Sequence, residues 1–116
     1  MRKRYQQAAM RLARAQKHLR TTRPGSEAPG IERALLECEM AFCDLRRHGL
    51  TPEGPALSQA ARLARFLDRS KTEDPAGRGL YRMKAERLTP AQTQAVREAV
   101  DVVARWADEG FRGKDS

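Results

Sequence analysis

Aromatic residues are scarce in this chain, at 5% of its 116 residues. β-Sandwiches and barrels are built from strands rich in aromatic and β-branched side chains, so that class is set aside. Cysteine is limited to Cys38 and Cys43. Five residues apart on a helix, they point about 140° away from each other and cannot form an ordinary disulfide within it. Neither belongs to a CxxC pair and there are only two histidines, so a structural zinc site lacks its ligands. Two small buried thiols in a reducing cytoplasm are the expectation, and cytoplasmic is the expected location. No apolar run approaches the roughly 20 residues that cross a bilayer. The basic N-terminus is not followed by the unbroken apolar stretch of a secretory signal, although an arginine-rich, acid-free start would also suit an organelle transit peptide. The phosphate-binding, nucleophile-elbow and zinc-helix signatures GxxxxGKS/T, GxGxxG, GxSxG and HExxH do not occur.

Acidic residues are missing from one place in particular. Positions 1–23 hold eight basic residues (Arg2, Lys3, Arg4, Arg11, Arg14, Lys17, Arg20 and Arg23) and no Asp or Glu. The chain has 23 Lys and Arg against 15 Asp and Glu, a formal charge of +8, so the excess lies in this first segment. Such an imbalance points to a polyanionic partner, nucleic acid first and an acidic protein or membrane surface behind it.

What is abundant is alanine, leucine, arginine, glutamate and glutamine, the strong helix formers. The expectation is an all-α, single-domain helical bundle of about five helices over residues 1–111, with 112–116 a disordered tail. The spacing predicts a first helix from about Arg2 to Thr21, apolar along Tyr5, Ala8, Leu12, Ala15 and Leu19. Arg4, Gln7, Arg11, Arg14 and His18 share another side. A loop is expected over Arg23–Gly30. A helix from about Ile31 to His48 follows, with one stripe of Ile31, Leu35, Cys38, Phe42 and Leu45, and a second apolar patch of Leu36, Met40 and Cys43. Both are expected to be packed. Gly49 and Leu50 read as its closing pair, with Arg46, Arg47 and His48 complementing the helix dipole.

Thr51 and Pro52 read as the start of a third helix running to Arg69, packed through Leu57, Ala60, Leu63, Ala64 and Leu67. Arg62, Arg65 and Arg69 share its other face, either as a solvated row or as an extension of the first basic surface. Ser70–Gly79 reads as an exposed linker and Leu80–Arg87 as a short helix. The last helix is expected from Thr89, with Pro90 and Gln92 completing a capping box, to a stop at Gly110–Phe111. Its two apolar rows are Ala95, Ala99, Val102 and Trp106 beside Val96, Val100, Val103 and Ala107. Trp106 reads as a packing residue, with the Ile31–His48 helix as main partner.

No convergent catalytic set emerges. His18 falls on the basic face and His48 at a helix end, while Glu37/Glu39 and Asp108/Glu109 are too close in sequence to share a helix face. The reading is a binding or scaffolding protein rather than an enzyme, with no cofactor. Arg4, Arg11, Arg14, Lys17, Arg20, Arg62, Arg65 and Arg69 are the candidate nucleic-acid contacts.

Arg4, Tyr5, Ala8 and Ala9 in the first helix, the Gly49–Leu50 pair, and Thr93, Glu98, Ala99 and Trp106 in the last helix resemble the small helical subunit of Cmr-type (type III-B) CRISPR effector complexes. Ala107, Asp108 and Glu109 depart from that pattern, which favours a basic residue after the tryptophan. The resemblance implies a non-catalytic subunit that stacks beside other effector subunits and lines the groove for guide and target RNA. Two further readings stand beside it. One is a basic helical adaptor or inhibitor docking an acidic protein; the other is an accessory bundle of a reverse transcriptase.

Overall fold

The computed structural model describes residues 3–21, 27–67 and 80–113. A turn of 3-10 helix, Lys3–Tyr5, leads into α1 (Gln6–Arg20), followed by α2 (Ala28–Arg47), α3 (Pro55–Leu67), α4 (Leu80–Arg87) and α5 (Pro90–Arg112). The fold is an all-α bundle, as composition indicates. The expected linker at 70–79 lies outside the described residues.

Helix ends follow local chemistry. At α5 the Thr89 hydroxyl accepts from the Gln92 backbone N–H at 3.1 Å, and the Gln92 side-chain oxygen accepts from the Thr89 N–H at 2.9 Å. This capping box satisfies two otherwise orphaned donors. At the end of α2, Gly49 turns left-handed at φ 67°, and Leu50 N–H donates to the Leu45 carbonyl at 2.8 Å. Leu50 then packs against the core, completing the anticipated closure.

Three boundaries differ from expectation. α2 starts at Ala28, because Pro29 sits in the first turn, where a missing N–H is no loss. α3 starts at Pro55 rather than Pro52, since the chain must first turn through Gly54 at φ 56°. α5 runs through Gly110 to Arg112 and is capped by Gly113 at φ 69°. Gly110 does not stop the helix; it seats a ring. A Cβ there would collide with Cε1, Cδ1 and Cζ of Tyr5. The same tyrosine meets Trp106 edge to face, with ring centroids 5.5 Å apart.

Packing departs from the expected pairing as well. α5 lies against α1 and α3, whereas α2 lies against α1 and α4; Ile31–His48 is therefore not the main partner of the last helix. The core is alanine-rich: Ala8, Ala15, Ala34, Ala41, Ala99 and Ala107 are fully buried beside Leu12, Leu35, Leu63, Val96, Val100 and Val103. Small side chains at these crossings allow the backbones to approach closely. Trp106 is only partly buried, and Val102 lies at the edge of the core. The second apolar patch of α2 is not packed: Leu36 and Met40 are 43% and 45% exposed, and Cys43 is exposed. On α3, Leu57 and Ala64 also face outward, leaving Leu63 and Ala56 as its buried residues. In each case the apolar arc is wider than the neighbouring helices can cover.

Two predictions follow from this packing. Gly110→Ala ordinarily stabilises a helix interior by up to about 1 kcal/mol; here it should destabilise, and a Tyr5→Ala background should remove the penalty, as measured by denaturant titration of all four proteins. For the thiols, burial, with the Glu37 carboxylate beside it, pushes Cys38 up to about 12. A raised thiol pKa favours the neutral form in the folded state. Its contribution is therefore intact below the unfolded value of 9.0 and is lost as pH climbs through about 12. At neutral pH a thiol reagent should modify Cys43 rapidly and Cys38 only on unfolding; equal rates would contradict this placement.

Candidate nucleic-acid interface

The core stripe of α1 turns Ala8, Leu12, Ala15 and Leu19 inward. At about 100° per residue, Arg14 and Lys17 come out on the opposite side. Lys3, Arg4, Arg14, Lys17 and Arg20 are all exposed. Among the described residues no carboxylate pairs with Arg4, Arg14 or Lys17.

Arg11 has a different environment. Its Nε donates to Asp44 Oδ2 of α2 at 3.0 Å, its Nη1 lies 3.8 Å from Glu37 Oε2, and it also reaches Met40 Sδ at 3.3 Å. Asp44 is 8% exposed, so this pair fastens α1 to α2. The guanidinium expected to meet phosphate is committed within the fold. Arg20 stands between these cases: it lines a cleft of about 400 Å³ between α1 and α5, together with Asp101, Arg105 and Asp108. Gln16 crosses the same cleft to Asp101 at 2.9 Å. Acidic groups therefore answer part of Arg20's field.

Arg62 and Arg65 are exposed on α3, which packs on α5 and makes no extended contact with α1. They form a patch of their own rather than an extension of the α1 surface. Lys84 Nζ of α4 donates to the Arg65 carbonyl at 3.3 Å, which ties the two short helices together. Arg69 lies outside the described residues.

Two cations outside the candidate set also face solvent. Arg33 and Arg47 are exposed on α2, the helix that runs along α1. Both fall off the Ile31, Leu35, Cys38 and Leu45 stripe, which is the sequence signal for them; Arg47 reads there as a complement to the helix dipole. Arg47 also stands 3.8 Å from Asp44 while its side chain remains 74% exposed. The outward face of this two-helix layer is thus cationic on α1, and on α2 mixes arginine with Leu36 and Met40.

Among the described residues no group of three His, Cys, Asp or Glu is arranged to hold a metal ion. None of the described helices is long and apolar enough to cross a membrane.

The division between a structural Arg11 and outward Arg14 predicts unequal effects. Arg11→Met should lower stability by about 1–3 kcal/mol, because Asp44 is left buried without its main partner. Arg14→Met should change it by less than about 0.5 kcal/mol. Urea denaturation of the two variants reads this directly. Compared with family models, with curated proteins and with solved structures, the chain matches none.

Proposed function

We infer that the protein is a non-catalytic subunit of a ribonucleoprotein, contacting the RNA backbone through the outward face of α1. The carrying observation is charge that the fold leaves unanswered. α1 contains no acidic residue, and among the described residues neighbouring helices supply carboxylates only to its flanks, at Arg11 and in the Arg20 cleft. Arg14 and Lys17 on α1, and Lys3 and Arg4 in the turn before it, remain open to solvent. A surface meant only for solubility mixes both signs.

Lysine and arginine on a rigid helix neutralise phosphates without reading bases, so the binding is insensitive to sequence and steep in salt. The exposed large apolar residues, Met10, Leu36, Met40 and Leu57, include no aromatic ring on which single-stranded bases stack. Backbone contact suits RNA already held in a defined path by other components. That is the setting implied by the resemblance to the small subunit of type III-B effectors, in which this bundle would stand beside other subunits along guide and target RNA in antiviral defence.

Arg4→Glu, Arg14→Glu and Lys17→Glu combined should leave the helical circular dichroism unchanged. RNA affinity should fall about 100-fold, and the dependence of log K on log salt should become shallower by about 2, as each lost phosphate contact contributes about 0.7 for a single strand. Fluorescence anisotropy of a labelled single-stranded RNA across a salt series measures both. Unchanged binding and slope would refute the reading. Arg11 is left intact in this design because its replacement would disturb the α1–α2 joint.

A further inference from the structure

We propose that the RNA backbone lies lengthwise along the seam between α1 and α2, where Arg33 and Arg47 of α2 supply phosphate contacts that match those of α1. This deepens the RNA reading and rests on it, naming the path of the strand and the second helix that holds it. α1 packs along α2 and is joined to it by the short connection from Arg20 to Ala28, so the two helices run antiparallel. Arg11 fixes their register: it reaches Met40 Sδ at 3.3 Å and lies between Glu37 and Asp44. About two turns from this level in one direction, Arg4 stands level with Arg47; about two turns in the other, Lys17 and His18 stand level with Arg33. Arg4, Lys17, Arg33 and Arg47 are all exposed. Each end of the seam thus holds cations from both helices, with Arg14 between them, and the ends are about 20 Å apart.

The carboxylates of α2 are turned to other tasks. Glu37 and Asp44 border the seam, and Arg11 holds both, at 3.8 and 3.0 Å. Glu32 pairs with Arg82 of α4 at 3.4 Å, and Glu39 lines a cavity on the far side of α2 with Leu67 and Tyr81. Arg46 belongs to that far side as well and donates to Cys43 Sγ at 3.3 Å. Arg47 lies 3.8 Å from Asp44 with its side chain 74% exposed, and among the described residues no carboxylate pairs with Arg33. The seam is therefore acidic only at its middle, where Arg11 compensates, and cationic at both ends. Charge also selects the direction. A strand crossing α1 toward α5 meets Asp101 and Asp108 in the neighbouring cleft, whereas one following the seam gains a second set of cations.

Anisotropy of a labelled single-stranded RNA, titrated with the full chain across a salt series, tests the path. Arg33→Glu with Arg47→Glu should weaken binding at least about tenfold and make the dependence of log K on log salt shallower by about 1.4, from two contacts at about 0.7 each. Arg33→Gln with Arg47→Gln should give the same change of slope with a smaller loss of affinity, and circular dichroism verifies the fold of each variant. Arg62→Glu with Arg65→Glu makes the same change of net charge on α3, away from the seam, and should leave the slope unchanged. A wild-type slope in the α2 variants overturns the proposal, as does an equal loss in the α3 variant, which would assign the effect to overall charge. If the Arg4, Arg14 and Lys17 variant loses RNA while the α2 variants keep it, the path fails and the RNA reading stands; if none of them loses it, both fail.

Discussion

α1 carries no carboxylate of its own, so whatever fixes its charged side chains must come from another helix. That constraint organises the bundle. The Arg11 guanidinium meets Asp44 and Glu37 of α2 on one flank, and Gln16 meets Asp101 of α5 on the other. Between these anchors the alanine and leucine stripe packs into the angle formed by α2 and α5. What remains is the outward side, where among the described residues no helix lies and no carboxylate pairs with Arg14 or Lys17. The same arrangement holds the helix in place and leaves its outer face free.

Much of this was legible from local pattern. The capping box of α5, the Gly49–Leu50 closure and the extent of α4 depend on residues within a few positions of each other, and they stand where the sequence indicates. The boundaries that moved involve choices between two local signals. Pro52 and Pro55 can each begin a helix, and only the turn at Gly54 selects the second. Gly110 has the composition of a stop, but its role depends on Tyr5, far away in sequence. Which helices pair is likewise not written in helical periodicity. α2 and α5 are both apolar over wide arcs, and their common partner turns out to be α1.

Among the candidate contacts, periodicity separated the core face of α1 from its outer face but could not rank the cations within it. Arg11 sits at the flank of the stripe, where Asp44 and Glu37 of α2 reach it, whereas Arg14 and Lys17 project away from the core; that two carboxylates stand at this flank depends on the register between two helices. Arg62 and Arg65 were correctly assigned to one exposed side of α3. Their separation from α1 follows from the position of α3 on α5, which no local pattern encodes.

The Tyr5 ring lies on Gly110 and Trp106, joining the turn before α1 to the final turns of α5. Contacts of such long sequence separation close the largest loop and are favoured only once the intervening elements are in place. During synthesis, α1 and α2 can pair as soon as both have emerged, while the side of α1 that packs on α5 waits for that helix. The basic helix is therefore made early and fastened late. Its final seating requires the last turns of α5, and a chain that stops short of them would present the same cations on an incompletely anchored helix.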